Sequence, residues 1–464
     1  PRSTPLYSWA ASDVYKRQHT HTPTDTRAIT HTHTSTHEHS HMMDDGSWMK
    51  NDGLSLKNEL IKDHCESKIK LFKEFLMKRF VLFILICGYG FASNYYVSNQ
   101  GSDENPGTIN SPFKTIQKAA DVVVGGDIIN ILEGSYHEEV TLNNASGSQG
   151  ESIIFQPFNN DRVVIDGTRP ITTVWSNHQG NIWKTELDFD IWQLFLDRKE
   201  QVMARWPNAN FEDGSVFNRS RWAQGTLTNS NNAYTNGWLT DAGSTTGSQG
   251  GLLASGIDPV GAIAVLNVAS FRSYSRVVTS WNASNETIGF DATDKWKTKH
   301  HAYFLEGKRE LIDVEGEWWY NDSAQRLHYK TPANQNANNL DLRIKTQPYA
   351  FSVINSDDVA FENLEFFATT VQFDDCVGCS IEDTIMRYPS TSKRGLNIAG
   401  EDVEDRWVTR FDHCSYSLIE DTAILYTDGT AVEFHGAARQ SHNNTINDSY
   451  FSHIDWSVSD TPGL

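Results

Sequence analysis

The chain has 464 residues, with 39 Lys and Arg against 59 Asp and Glu, which gives a formal net charge of −20 at pH 7. A surface this acidic disfavours nucleic acid and anionic membranes as partners, because both carry negative charge themselves. Five cysteines in so long a chain do not make the disulfide framework of a small secreted scaffold. Composition therefore leaves a large acidic globular protein and excludes the nucleic-acid-binding and disulfide-rich classes.

The first 92 residues differ in composition from the rest. Residues 19–41 are a His/Thr repeat, and residues 1–76 lack a periodic apolar face, so we predict a non-native, disordered leader. Residues 77–92 have the signal-peptide pattern, with basic Met77-Lys78-Arg79 before the apolar residues 80–87. That apolar run is too short to span a membrane. We predict export to the periplasm or the extracellular medium, with no membrane span in the mature chain.

Residues 93–142 predict several unlike elements in a fixed order. The β-prone Tyr95-Tyr96-Val97 is followed by a Gly/Pro loop over residues 101–111. Pro112 suits the first position of a helix, and Ile116 and Val123 lie on the apolar face of that helix. Two short apolar strands complete the segment, at residues 128–132 and 140–142.

This order resembles the N-terminal cap and first coil of secreted bacterial right-handed parallel β-helix proteins, the pectate-lyase-like family. The matching segments read YYVS, GSDENPGT, SPFKTIQKA, GGDIINI and EGSYHE. Further on, QLFLD, ARWPN and GEWWY are similar to a subgroup of that family mostly assigned to polysaccharide degradation. The resemblance implies a parallel β-helix that binds an extracellular polysaccharide in a groove along one sheet.

A short pattern repeats after residue 346. An apolar residue is followed by an acid or amide, then by Asn, Asp or His, at Phe361, Ile381, Phe411 and Ile446. Repeats of roughly 20–50 residues mark solenoids, in which each coil buries its apolar face against its neighbours. We predict that these four side chains stack in register. Ile419 begins the same pattern at a different spacing, which suits the next strand of one coil.

Between residues 169 and 345 the coil pattern stops. This stretch holds ten of the 14 tryptophans, and residues 318–329 predict a β-hairpin. We predict an all-β chain in three parts: a β-helix cap with first coils over 93–168, an inserted antiparallel β-domain over 169–345, and further coils over 346–464. Since Leu464 follows a turn with no closing element, we expect the chain to stop in mid-solenoid, and we expect a monomer.

The candidate catalytic groups for hydrolysis lie in the later coils. Asp374, Asp375 and Glu433 are the carboxylates, and His435 shares one strand face with Glu433 because side chains alternate. Asp375 and Glu433 are two to three coils apart, which at ~4.8 Å per coil suggests ~10 Å and an inverting mechanism. Asp455 is a further candidate, because its segment, HIDWS, is also similar to the polysaccharide-degrading subgroup.

Elimination is the alternative chemistry. Lys393 and Arg394 form a compact basic pair that could supply a base and a clamp for a uronate carboxylate, and calcium is the cofactor that this chemistry would add. No other cofactor is indicated. A glycan-binding surface is predicted at Arg205-Trp206, where an indole stacks on a sugar ring. Cys376, Cys379 and Cys414 are predicted to be buried thiols.

The sequence thus favours a secreted enzyme that cleaves an extracellular polysaccharide, with hydrolysis ahead of elimination. The alternative is a non-catalytic carbohydrate-binding or cell-surface β-helix module. An enzyme should bring two or more ionisable groups together in its outer groove, whereas a binding module should show aromatic and amide side chains there.

Overall fold

The computed structural model describes residues 92–148, 150–189, 191–226, 237–243, 251–269, 272–291, 298–392, 406–436 and 440–456. The predicted leader, nearly all of the predicted signal peptide, Lys393, Arg394 and the last eight residues lie outside these ranges. Within them, no helix is both long and apolar enough to cross a lipid bilayer.

The N-terminal part contains short strands, one α-helix, α1 (Ile116–Ala120), and a 3-10 turn at Phe158–Asn160. The helix begins at Ile116 and not at the predicted Pro112, because Thr115 caps it by accepting a hydrogen bond from the Lys118 amide. The predicted strands are confirmed. In order, the strands are β1 (Asn94–Val97), β2 (Ile128–Ile131), β3 (Gly134–Tyr136), β4 (Val140–Asn143), β5 (Ile153–Pro157), β6 (Val163–Asp166) and β7 (Thr168–Pro170).

The next strands pair in antiparallel fashion. The hairpin predicted over residues 318–329 is confirmed, with Trp318 opposite Tyr329. A second short helix, α2, spans Leu252–Ser255. The strands are β8 (Ser176–Gln179), β9 (Ile182–Glu186), β10 (Leu194–Leu196), β11 (Lys199–Gln201), β12 (Arg205–Trp206), β13 (Ala223–Gln224), β14 (Trp238–Thr240), β15 (Ile263–Ala269), β16 (Arg272–Asn282), β17 (Thr287–Phe290), β18 (Thr298–Glu306), β19 (Trp318–Asn321), β20 (Arg326–Lys330) and β21 (Leu342–Lys345).

The last part returns to parallel pairing, apart from one antiparallel pair, β28 with β29. Its strands are β22 (Tyr349–Ile354), β23 (Val359–Glu362), β24 (Glu365–Phe367), β25 (Thr370–Asp374), β26 (Ser380–Glu382), β27 (Ile385–Arg387), β28 (Thr391–Ser392), β29 (Arg406–Trp407), β30 (Thr409–Asp412), β31 (Leu418–Glu420), β32 (Ala423–Leu425), β33 (Val432–His435), β34 (Thr445–Asn447) and β35 (Tyr450–Ser452).

Three parallel sheets wind together into a parallel β-helix. Sheet I has the order β1-β2-β5-β23-β26-β31-β34, sheet II is β3-β6-β24-β27-β32-β35, and sheet III is β4-β22-β25-β30-β33. Each coil runs from sheet I to sheet II to sheet III, as in β23, β24 and β25. The antiparallel strands β7–β21 fall between β6 of sheet II and β22 of sheet III, so they occupy one greatly lengthened connection.

The interior of the coils is a continuous apolar core that the repeat pattern predicted only in part. Phe361, Ile381, Ile419 and Ile446 are aligned across sheet I, so Ile419 takes the place predicted for Phe411. Phe411 is buried but belongs to sheet III, because the coil lengths vary and the same motif recurs at two corners. Ile446 is 39% exposed, since β34 ends the sheet within the described residues.

Candidate active site

The candidate site lies at the carboxyl ends of the sheet III strands, on their outer face. Asp374 of β25 is in register with Asp412 of β30, which is in register with His435 of β33. The residues just before them, Phe373 and Phe411, point inward and stack with ring centroids 4.6 Å apart. Because side chains alternate along a strand, the three polar groups project from the opposite face.

At this edge the chain turns through a column of residues whose backbone has the left-handed conformation, and these turns fix where the strands end. Asn355, Asp375 and His413 have φ of 47°, 52° and 54°. Asp375 donates its amide to the Asp412 carbonyl at 3.0 Å, and His413 donates to the His435 carbonyl at 2.9 Å. Asn and Asp tolerate this conformation better than most residues, so the corner is built from residue types that also carry polar side chains.

Asp412 is the centre of the cluster. Its Oδ1 atom lies 3.0 Å from Nδ1 of His413 and 3.0 Å from Nδ1 of His435. Its other oxygen, Oδ2, has no hydrogen-bond partner among the residues that the structure describes. Two imidazoles therefore orient one carboxylate oxygen and leave the second oxygen for a ligand.

Asp374 is the neighbouring carboxylate. Burial, and then the nearby carboxylates Asp375 and Asp412, raise the pKa of Asp374, while His413 partly opposes this effect. The Oδ1 atom of Asp374 is 4.0 Å from Nδ1 of His413. A carboxyl group that holds its proton to higher pH than usual is suited to act as a general acid.

Glu433, at the edge of the cluster, forms an ion pair with Arg410. Its Oε2 atom accepts hydrogen bonds from Nη2 and Nε of Arg410 at 3.0 and 3.3 Å. Asp374 is in register with His435 through Asp412, and Glu433 lies two positions before His435. Asp375 is one position after Asp374, so it lies three positions beyond Glu433 along the strand direction. Two strand spacings and three residue rises put their backbones ~14 Å apart. This backbone separation is wider than the ~10 Å expected from coil spacing alone, because the two residues also differ by three positions along the strand.

One group of side chains at this site could hold a metal ion. Asp374, Asp375 and His413 offer ligand atoms that lie within 4.8 Å of one another. Ca²⁺ takes about six to eight oxygen ligands, whereas this set supplies two carboxylates and one imidazole nitrogen. The set does not fit calcium, and we assign no step of the chemistry to a metal ion.

The other predicted site residues lie elsewhere. Asp455 follows β35 of sheet II and has a φ of 58°, so it lies in a turn at the corner between sheets II and III and not on a strand face. Lys393 and Arg394 lie outside the described residues.

The predicted glycan surface at Arg205-Trp206 is wrong. Arg205 is 1% and Trp206 4% exposed. The Arg205 guanidinium lies 3.8 Å from the centroid of the Phe304 ring, and Trp206 packs against Tyr303. Both side chains belong to the core of the antiparallel segment, where a sugar cannot reach them. The three thiols are buried, as predicted.

Two members of the cluster, Asp412 and His413, and the neighbouring Arg410 are not among the site residues that the sequence predicts. Asp412 and His413 stand in the segment Phe411-Asp-His-Cys, which matches the repeat, so the pattern indicates a structural role for them. The available signal was that the third position of this repeat is Asn or Asp in the other copies and His only here.

Comparison with known proteins gives short matches in sequence and a longer one in structure. A family described as a protein of unknown function, DUF1565, matches residues 99–142. The uncharacterized protein YwoF of Bacillus subtilis (strain 168) is 42% identical over 72 residues, which are 16% of this chain and 15% of that protein. Pectate lyase PEL9 of Emericella nidulans is 32% identical over 77 residues, 16% of this chain and 19% of that protein. The chain matches less than a fifth of the length of either relative.

A solved structure titled glycoside hydrolase aligns with a TM-score of 0.58 and 14% identity, over 78% of this chain and 74% of that one. At this identity the likeness shows a common fold. Together with the three parallel sheets, it makes this chain a parallel β-helix protein.

Proposed function

We propose that the chain is a secreted carbohydrate-active enzyme that hydrolyses an extracellular polysaccharide at the cluster of Asp374, Asp412, His413 and His435. The observation that carries the proposal is the convergence of these ionisable groups on one outer face of the β-helix. A non-catalytic binding module should instead show aromatic and amide side chains on this face, without a cluster of ionisable groups. The relative named pectate lyase and the structure titled glycoside hydrolase support a polysaccharide as the substrate.

The proposed chemistry uses the two carboxylates on adjacent strands. Asp374 donates its proton to the glycosidic oxygen while the free oxygen of Asp412 attacks the anomeric carbon and forms a glycosyl-enzyme. Water then cleaves that bond as Asp374 takes back a proton. Adjacent parallel strands are ~4.8 Å apart, which matches the ~5–5.5 Å carboxylate separation of retaining hydrolases and is too short for inverting ones.

Elimination is less favoured at this site. Besides a base that takes the proton, it needs a cation that neutralises the adjacent sugar carboxylate. His413 and His435 could serve as the base, but Arg410, the cationic side chain two positions before Asp412 on β30, is bound to Glu433. The domain organisation, with an inserted antiparallel domain over 169–345 between coils over 93–168 and 346–464, is part of the same proposal.

A polysaccharide panel tests the proposed function. The full chain should release new reducing ends from at least one extracellular polysaccharide, with no rise in ultraviolet absorbance from unsaturated sugar ends. Unsaturated ends would show elimination, and the absence of new reducing ends on every polysaccharide that the protein binds would show a non-catalytic module. Either result contradicts the proposal.

A further inference from the structure

One exposed aromatic side chain beside the cluster takes no part in the proposed cleavage. Tyr416 follows His413 by three residues, in the corner that joins β30 of sheet III to β31 of sheet I. Its side chain is 58% exposed. Because three residues of chain span at most ~11 Å, the Cα atoms of Tyr416 and His413 are no further apart than this. Tyr416 is therefore within reach of a ligand that extends beyond the cluster.

The backbone of Tyr416 has a conformation that a bulky residue rarely adopts. Its φ is 57°, in the left-handed region. Backbone pairing along this corner places Gly378 of the preceding coil and Asn443 of the following coil at the equivalent position, and both also have positive φ, 73° and 56°. Glycine and asparagine tolerate this region, whereas tyrosine is strained there. The coil that carries Asp412 thus has a tyrosine where its two neighbours have residues suited to the turn.

Among the described residues, two other tyrosines have positive φ, and their packing explains them. Tyr388 and Tyr426 stack on each other in adjacent coils, with ring centroids 5.3 Å apart. Phe195 and Phe217 of the antiparallel segment pack against them, with centroid distances of 5.2 and 6.4 Å. Aromatic packing within the protein therefore stabilises these two rings.

The ring of Tyr416 is open to solvent by comparison. Its ring contact among the described residues is with the exposed His442, with centroids 5.4 Å apart and planes at 84°. A perpendicular contact leaves at least one face of the tyrosine ring free of His442. Val377, a diagonal neighbour in the preceding coil, is 44% exposed and extends the apolar surface. The C–H groups of a sugar ring pack on an aromatic face of this kind, while the sugar hydroxyls stay hydrated.

We propose that Tyr416, with His442 at its edge, is a subsite that stacks on an adjoining sugar ring of the polysaccharide bound at the cluster. The inference deepens the proposed function and rests on it for the class of ligand. Tyr416 binds the substrate by stacking and takes no part in proton transfer or bond cleavage. Its backbone strain fits this role, because strained residues are concentrated at functional sites, where the surrounding structure holds them in place.

Replacing Tyr416 by asparagine separates binding from stability. Tyr416→Asn introduces the residue type found at Asn443, so the variant should unfold at a denaturant concentration no lower than that of the wild type. It should nevertheless bind a hexasaccharide roughly 2–12-fold more weakly, the range expected for loss of one aromatic contact. Tyr416→Phe keeps the ring and should bind as the wild type does.

Isothermal titration calorimetry with hexasaccharides of galacturonate and of galactose measures this binding. The two probes differ only in one carboxylate per sugar, and stacking requires the ring alone. Each variant is titrated in the Asp374→Asn background, in which slow cleavage leaves the hexasaccharide intact. On a polysaccharide that the protein with Asp374 cleaves, the loss in Tyr416→Asn should appear as a higher KM and not as a lower kcat.

Tyr450→Asn is the matched control, because Tyr450 is 63% exposed but lies on β35 of sheet II, away from this corner. This variant should bind as the wild type does. Unchanged binding by Tyr416→Asn, an equal loss in Tyr450→Asn, or no binding of either hexasaccharide would overturn the subsite. A loss in Tyr416→Phe as large as that in Tyr416→Asn would also overturn it, since the ring is kept.

Binding and cleavage together distinguish this inference from the proposed hydrolase. If Tyr416→Asn weakens hexasaccharide binding in a protein that cleaves no polysaccharide, the subsite stands and the hydrolase is wrong. If the protein cleaves a polysaccharide and Tyr416→Asn changes neither binding nor KM, the hydrolase stands and the subsite is wrong.

Discussion

Replacing Asp412 by Asn should lower kcat by on the order of 10²–10⁴-fold, with the fold intact. Asparagine keeps the size of the side chain but cannot attack the anomeric carbon as a carboxylate does. Asp374→Asn should have an effect of similar size, because the amide has no proton to give to the leaving oxygen. The measurement is steady-state release of reducing ends by each purified variant.

Asp383→Asn is the control for both variants. Asp383 is an exposed acidic corner residue with a φ of 48°, but it follows a strand of sheet I and lies outside the cluster. Its replacement should leave kcat unchanged. Near-normal activity in both Asp412→Asn and Asp374→Asn would show that the cluster is not the catalytic site.

Ile381→Ala should destabilise the protein by ~2–5 kcal/mol, the usual range for emptying a buried aliphatic site. Ile381 is fully buried and lies in the sheet I column between Phe361 and Ile419. The free energy of unfolding in denaturant measures this loss, and the dependence on denaturant concentration should stay the same if the unfolded state is unchanged.

Ile446→Ala is the matched comparison, since Ile446 continues the same column at 39% exposure. Because much of that side chain already faces solvent, its loss should cost well under the value for Ile381. Equal costs at the two positions would show that the column does not end where the structure places its last described strand.

The fold was predictable because the sequence patterns that indicate it are local. The order of elements over residues 95–142 reflects strand, turn and helix propensities that neighbouring residues decide among themselves. The register of the coils was not predictable in full. Phe411 and Ile419 carry the same motif, and only the length of the chain between corners decides that one belongs to sheet III and the other to sheet I.

The site was predictable in part for the same reason. Asp374 and His435 were found from residue type and alternation, whereas Asp412 joins them only through the pairing of β25, β30 and β33. The prediction that Arg205 and Trp206 form a glycan-binding surface failed for a different reason. Residue types common on glycan surfaces are packed inside, because the antiparallel segment buries its aromatic side chains in its own core.

The configuration of the first sugar product is the most direct test of the proposed catalytic pair, Asp374 and Asp412. Proton NMR during the early phase of polysaccharide cleavage reports which anomer is released before mutarotation. The adjacent-strand pair of Asp374 and Asp412 predicts that the product retains the configuration of the cleaved bond. An inverted product would contradict this pair, because inversion needs carboxylates ~6.5–9.5 Å apart with a water between them.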